Sequence, residues 1–358
     1  MVFLPSLGGG GAERAMILLC NELVRLGHSV TLVCVRMEGR LSSLIAPQVK
    51  LVDLKAKRMS HAIVQLRGVI KEVAPAALYS TIVHANLAAI LATVGMKDLR
   101  VIIRESNAPL SEKKASLSRK VTHFMAKYLY RYASGIICVS EHVANELSTM
   151  CVGVGGKVRT LPTPVVEETL FSDAEVPLSP EIADFFNAAP TIVAVARLHP
   201  QKNLGLLIDA VAALNKKFPL QLALLGEGAL RTTLAEQIAR YGLEARIRLV
   251  GFQSNPFNYI KAAKMLVLSS DYEGMPNVLV QALALGTPVI STDCPGGSRE
   301  LLKGGGWGML TPVGDTQALA AAIEAMLSNP QLVKVEEVVS RYGVQSSTRE
   351  YLRMIELK

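Results

Sequence analysis

The sequence predicts an α/β protein made of two doubly wound units. Short β-branched runs alternate with segments of helical periodicity along the whole chain, the pattern of parallel strands covered by helices on both faces. The chain has 358 residues, 50% of them hydrophobic, enough for two domains that each bury a core. Near its middle the alternation is interrupted by Pro162–Pro190, rich in Pro, Glu and Ala, the composition of an interdomain connection.

In order, Val2–Pro5, Ser29–Val35, Val49–Leu54, Ala77–Ser80, Arg100–Arg104 and Gly135–Val139 read as strands of the first unit, with helices such as Glu13–Leu26 and Glu141–Met150 between them. The second series is Thr191–Ala196, Leu220–Leu225, Ile247–Val250, Met265–Leu268, Pro288–Ser291 and Gly308–Leu310. Helices near Gly205–Lys217, Leu230–Tyr241, Pro276–Leu285 and Thr316–Ser328 separate these strands. The expected boundaries are a first domain at 1–170, a linker at 171–190, a second domain at 191–335 and a returning region at 336–358. In that last region, Thr348–Ile355 has the pattern of an amphipathic helix that crosses back to the first domain.

Composition excludes several classes. The longest uncharged apolar run, Ala85–Met96, is shorter than the roughly 18 residues that span a bilayer. MVFLPSLGGG lacks the basic and long apolar regions of a signal peptide, so a cytoplasmic location is expected. Cys20, Cys34, Cys138, Cys151 and Cys294 form no CxxC pair and sit mostly among aliphatic residues, as reduced core thiols do. Lys and Arg outnumber Asp and Glu by 21 to 12 through Leu170 and are balanced, 17 to 18, beyond it. A basic first half calls for an anionic partner: nucleic acid, a phosphorylated ligand or an acidic membrane surface.

Three loops carry the candidate chemistry. Gly8-Gly9-Gly10-Gly11 lies between a strand and a helix, where glycine amides approach an anion closely and the helix end favours it by roughly 0.3–1 kcal/mol. It is not a dinucleotide fingerprint, because no residue completes GxGxxG and the second strand is followed by Arg36 rather than an acid; a turn without a ligand is the alternative. Arg197 and Lys202 stand five positions apart on the loop leaving Thr191–Ala196, at the edge where ligands bind such sheets. Together they suit a diphosphate, although a solvated surface pair has the same spacing. In Ser269–Val289 a strand, an acidic glycine-proline loop and a helix follow one another. Residues Gly274, Met275, Asn277 and Val278 then present backbone amides beside the Glu273 carboxylate, and Gln281 lies two turns along the helix.

Gly8–Arg14, Arg197 with Lys202, Gly226-Glu227-Gly228, Gly251-Phe252, Glu273 to Gln281 and Gly308–Asp315 occur in the order seen in family 4 of the retaining, GT-B-fold glycosyltransferases, which the chain resembles over nearly its whole length. The resemblance implies two Rossmann-like domains, an N-terminal one for the acceptor and a C-terminal one for a nucleotide-sugar, here expected to be a UDP-sugar. It implies that Arg197 and Lys202 neutralise the departing diphosphate, that Gly9, Gly10 and Gly11 border it, and that Glu273 with Gly274 and Met275 holds the sugar hydroxyls. Gln281 matches the position on the ribose, and Gly226, Phe252 and Gln253 match positions that frame the nucleobase. His84 resembles the histidine beside the reacting sugar, a half-buried structural histidine being the alternative, and Glu105 or Asn107 is a candidate for orienting the acceptor, with ordinary strand-end capping as the alternative.

Two departures stand out. The family has glutamate where this chain has Gln281, which predicts weaker donor binding without loss of chemistry, and Thr163-Pro164-Val165 replaces a common Asn-Pro-Val. No Asp-x-Asp or His/Cys metal spacing is present, so transfer is expected to be metal-independent and without a resident cofactor. With no obvious carboxylate nucleophile, the resemblance implies that retention proceeds by front-face displacement.

Glu112–Tyr132 interleaves Lys and Arg with Val121, Phe124, Met125 and Leu129 at helical spacing. It reads either as a helix that lies on an anionic leaflet or as a helix with its apolar stripe in the core. Nucleic acid is not expected, for want of a recognition motif. The expected function is a hexosyl- or N-acetylhexosaminyltransferase acting on a glycan or polyprenyl-linked acceptor, peripheral on the inner face of the plasma membrane. The alternatives are a nucleotide-sugar epimerase of the same fold and a non-catalytic glycosyltransferase-like subunit.

Overall fold

A computed structural model describes residues 1–8, 10–107 and 117–356. The chain divides into two units, one of Met1–Val165 with Arg341–Lys358 and one of Val166–Ser340.

The strands of the first unit are β1 (Val2–Leu4), β2 (Thr31–Cys34), β3 (Lys50–Asp53), β4 (Ala77–Thr81), β5 (Arg100–Glu105), β6 (Gly135–Cys138) and β7 (Val158–Thr160). They form a parallel sheet in the order β3-β2-β1-β4-β5-β6-β7. Its helices are α1 (Gly11–Arg25), α2 (Met59–Val73), α3 (Val83–Ala92), α4 (Leu117–Leu129) and α5 (Glu141–Met150). Successive side chains of a strand point to opposite faces. Val2 and Leu4 of β1 therefore pack with α1 on one face, while Phe3 packs with α2 and α3 on the other. Burial on both faces is why these strands read as unbroken apolar runs.

The second unit opens with α6 (Thr169–Ala174) and α7 (Pro180–Ala188), and continues β8 (Thr191–Val195), α8 (Leu204–Asn215), β9 (Gln221–Leu225), α9 (Arg231–Arg240), β10 (Ile247–Gly251), α10 (Phe257–Ala262), β11 (Met265–Leu268), α11 (Asn277–Ala284), β12 (Val289–Thr292), α12 (Ser298–Leu301), β13 (Met309–Thr311) and α13 (Thr316–Ser328), and α14 (Val335–Tyr342) begins in it and ends in the first unit. Its sheet is parallel, in the order β10-β9-β8-β11-β12-β13. Ile192, Leu207, Leu222, Val267, Ile290 and Ile323 are among the residues of its core, all 0–1% exposed.

Each strand expected from sequence is present to within two residues, and β7 is an addition. The stretch 171–190, expected as a linker, is corrected: it is mostly helical and belongs to the second unit. Phe185 of α7 is 5% exposed, the Arg248 guanidinium lies 4.7 Å from its ring centre, and Arg248 Nη1 donates to Glu181 Oε1 at 2.7 Å.

The chain returns to the first unit as α15 (Val344–Glu356), which packs on α1 and starts earlier than the expected Thr348. Tyr351 ties it down. Tyr79 Oη donates to the Tyr351 carbonyl at 2.6 Å, and Arg104 Nε donates to Tyr351 Oη at 3.0 Å. Arg104 is 2% exposed, and its other nitrogens reach Ser106 Oγ at 2.5 Å and Thr163 Oγ1 at 2.9 Å. The five cysteines are free and buried, and burial pushes the thiols of Cys20, Cys34 and Cys151 up to about 12 and that of Cys294 to about 11.

Candidate active site

β8 and β11 are neighbours in the second sheet, so the loops that leave them share one edge. The first passes Arg197, makes a single turn of 3₁₀ helix at Pro200–Lys202 and enters α8 through Asn203 at φ 43°. Asparagine tolerates this left-handed conformation, and its side chain uses it, Nδ2 donating to Asp271 Oδ1 at 2.8 Å. Three more bonds of 2.8 Å lace the two loops: Asp271 N to the Gln201 carbonyl, Gln201 Nε2 to the Tyr272 carbonyl, and Ser269 Oγ to the Lys202 carbonyl.

The lacing aims Lys202 at Glu273. Nζ donates to Oε1 at 2.5 Å, and Ser270 Oγ donates to the same oxygen at 2.6 Å. Glu273 is 6% exposed, and Oε2 has no hydrogen-bond partner among the described residues. Behind it the Asp293–Gly297 loop closes in, with Glu273 N donating to the Pro295 carbonyl at 2.9 Å and Gly297 N to the Gly274 carbonyl at 2.7 Å. Gly296 has φ 126°, and a Cβ there would lie 1.8 Å from the Glu273 carbonyl oxygen. Only glycine permits this approach.

Gly274 is buried, Met275, Asn277 and Val278 are half-buried where α11 begins, and Gln281 is 9% exposed on that helix. Arg197 is exposed and joins no ion pair among the described residues, so the structure brings Lys202 and Glu273 into contact and leaves Arg197 out of that contact. Gly226 follows β9 at φ 134°, where a Cβ would meet the Ala196 carbonyl oxygen at 1.9 Å, and its N–H donates to the Gly251 carbonyl at 2.8 Å. That bond joins the ends of β9 and β10, beyond which Phe252 is 43% exposed and Gln253 half-buried.

In the first unit, Gly10 caps α1 and Gly11 opens it, and the Glu13 carboxylate folds back over Gly10, with Oε2 2.2 Å from where a Cβ would lie. Gly9 lies outside the described residues. His84 is exposed in the first turn of α3, and desolvation by the surrounding protein lowers its pKa. Ile82, which joins β4 to that helix, has φ 74° and ψ 128°, an outlier for a β-branched residue.

Asn107 is exposed, but Glu105 is not placed to orient an acceptor. It is 5% exposed and accepts from Tyr130 Oη and, at 2.9 Å, from Asn86 Nδ2, whose amide oxygen accepts from Ser80 Oγ at 2.8 Å. Burial pushes its carboxyl up to about 7.

Sequence reasoning missed Ser270 and the Asn203–Asp271 bond, for which Ser269-Ser270-Asp271 just ahead of Glu273 was the available signal. Among the described residues no group of three or more His, Cys, Asp or Glu side chains is placed to hold a metal ion.

Two family models match the chain: Glycosyltransferase Family 4 over residues 9–169 and Glycosyl transferases group 1 over residues 189–329. An uncharacterized glycosyltransferase of Methanocaldococcus jannaschii is 31% identical over 57% of this chain, which spans 50% of that protein. The N-acetylgalactosamine-N,N'-diacetylbacillosaminyl-diphospho-undecaprenol 4-alpha-N-acetylgalactosaminyltransferase of Campylobacter jejuni is 27% identical over 93% of this chain and 91% of its own. Among solved structures, Anabaena HepE in complex with UDP and glucose superposes with a TM-score of 0.82 at 19% identity, covering 100% of this chain and 99% of the other. Sucrose-phosphate synthase from Thermosynechococcus elongatus gives 0.84 at 19%, covering 99% and 98%.

Proposed function

The chain belongs to glycosyltransferase family 4 and has the GT-B fold, and on that premise we propose that it transfers a sugar from a UDP-sugar to a lipid-linked glycan acceptor with retention of configuration and without a metal ion. The observation that carries the reading is the Lys202–Glu273 pair at the edge of the second sheet. Lys202 keeps two of its three N–H donors for a diphosphate, and Arg197 adds a second cation from the same loop. Oε2 of Glu273 accepts a hydroxyl of the donor sugar, Gln281 the ribose, and the amides at the start of α11 complete the cradle. Gly226, Phe252 and Gln253 frame the base, and in the first unit the glycine loop before α1 and His84 on α3 are the residues kept for the acceptor domain's own part. Retention then follows from a front-face displacement in which the leaving diphosphate takes the acceptor proton, the protein contributing position and charge.

The sugar is an N-acetylhexosamine, by analogy with the Campylobacter relative, and the UDP group by analogy with the Anabaena complex. A lipid-linked acceptor calls for a membrane face. No helix among the described residues is long and apolar enough to cross a bilayer. On α4 and the turn after it, however, Val121 (52%), Phe124 (64%), Tyr128 (40%) and Tyr132 (61%) are exposed. Lys120, Lys127 and Arg131 flank them, and Ala126 and Tyr130 take the core side. Apolar rings bordered by cations suit an anionic leaflet, each cation contributing about 1 kcal/mol.

A thermal-shift panel of nucleotides and nucleotide-sugars tests the reading. A donor at 100 times its dissociation constant stabilises by about 2.7 kcal/mol, so UDP and one UDP-sugar raise the melting temperature while GDP compounds do not. Labelled donor is then incubated with and without membrane lipid extract. Label moves into lipid if the chain is a transferase, and stays in an isomerised donor if it is an epimerase.

A further inference from the structure

At the carboxyl edge of β1, β2 and β3 opens a cavity of about 420 Å³. Ser6 borders it after β1, Arg36 and Glu38 after β2, and Lys57, Arg58 and Met59 where the chain leaves β3 for α2. Backbone bonds prolong the sheet beneath it: Val35 N donates to the Leu4 carbonyl at 3.1 Å, Arg36 N to the Pro5 carbonyl at 3.3 Å, and Ala56 N to the Val35 carbonyl at 3.1 Å. The cations thus stand on a braced floor, whose Val35 and Ala56 are 7% and 3% exposed.

The charges here are unbalanced. Arg36, Lys57 and Arg58 make no ion pair among the described residues, and Glu38 is the one carboxylate in the wall. The first turn of the 15-residue α2 holds no acid, and no side chain caps it, so its positive end adds to the same field. Three cations and a helix end against one carboxylate call for more than one negative charge. Two guanidinium forks beside an ammonium match the oxygens of a phosphate. Arg36 also occupies the place where a dinucleotide-binding sheet has its ribose-binding acid, and the glycine loop lacks the matching fingerprint.

We propose that this cavity is an anion site for the acceptor, holding a phosphate or diphosphate group of that molecule. The word acceptor rests on the reading above, in which Arg197 and Lys202 of the other unit serve the donor's diphosphate. β3 lies three strand spacings, roughly 14 Å, from β4, which leads to His84. The anion therefore belongs to a part of the acceptor remote from the hydroxyl that reacts.

Inorganic pyrophosphate and geranyl diphosphate are titrated into the full chain and into the triple variant Arg36→Gln, Lys57→Gln, Arg58→Gln, with UDP as competitor. The three side chains are exposed, and melting curves check that the variant is folded. Both probes are expected to bind the variant at least tenfold more weakly, while UDP affinity is unchanged and UDP does not displace them. Tighter binding of geranyl diphosphate assigns the group to a lipid-linked acceptor, and equal binding of the two probes assigns it to the phosphate chemistry alone. Equal affinities of the wild type and the variant, or displacement by UDP, overturn the proposal. A wild type that turns over no nucleotide-sugar counts against the glycosyltransferase reading only, since the anion titration uses no donor.

Discussion

Lys202 Nζ meets Glu273 Oε1 at 2.5 Å across the ends of two adjacent strands, with side-chain exposures of 17% and 7%. Removing the cation leaves a carboxylate in poor solvent contact without its partner, and removing a buried partner is costly. Lys202→Ala is expected to lose about 2–3 kcal/mol, roughly 5–10 °C in the melting of the second unit, and to reduce kcat/KM by about 100-fold or more. Calorimetry and donor hydrolysis measure the two effects. A variant as stable and active as the wild type refutes the role given to the pair.

Gly296→Ala tests the loop behind that carboxylate. A Cβ 1.8 Å from the Glu273 carbonyl oxygen, at φ 126°, forces the two loops apart. A displacement of about 1 Å at the reacting groups is expected to reduce kcat/KM by about 100-fold. Circular dichroism of the variant checks that the fold persists.

Gln281→Glu is expected to tighten donor binding by up to about tenfold, because a charged acceptor holds a ribose hydroxyl by about 1.5–3 kcal/mol and a neutral one by about 0.5–1.5 kcal/mol. Titration calorimetry with UDP reads the change. Unchanged or weaker affinity removes Gln281 from the ribose.

Phe124→Ser with Tyr128→Ser is expected to reduce co-sedimentation with anionic vesicles by about tenfold or more, since each ring buries area worth about 1.5–3 kcal/mol when fully covered. The rings pack on each other, with centres 5.2 Å apart, and are exposed, so melting is expected to be unaffected. Equal binding of zwitterionic and anionic vesicles contradicts the basic flank's part.

Burial raises the Glu105 carboxyl from 4.5 to about 7. A raised folded-state value means that folding favours the protonated form. The stability contributed is complete below about pH 4.5 and is lost as pH climbs through 7, a difference of about 3 kcal/mol. Glu105→Gln keeps an acceptor for Asn86 and Tyr130, and is expected to flatten this decline and to melt higher than the wild type at pH 8. Melting curves of both proteins from pH 5 to 8 decide it.

The strands were legible because burial on both faces writes apolar runs such as Val2–Leu4 and Met265–Leu268 into the chain. β7 was not, since Val158-Arg159-Thr160 is a short edge strand without such a run. The helices within 171–190 were hidden by their own composition: Pro180 starts α7 at a position where proline suits a helix, yet it reads locally as linker. In the site, Lys202 and Glu273 were visible as residues on strand-end loops. That Lys202 and Ser270 share one oxygen depends on β8 lying beside β11, a matter of strand order that no local pattern carries. The outlier at Ile82 likewise has no signature in sequence, because a β-branched residue at φ 74° is what local preference disfavours.

The path of the chain also bears on how the protein is made. Tyr351, whose hydroxyl accepts from Nε of the buried Arg104, leaves the ribosome only after the whole of Val166–Ser340. The second unit is thus able to fold during translation, while in the first the buried Nε donor of Arg104 waits for its partner until α15 arrives. A nascent chain stopped short of that helix carries an incomplete first unit and is a natural target for chaperones and proteases.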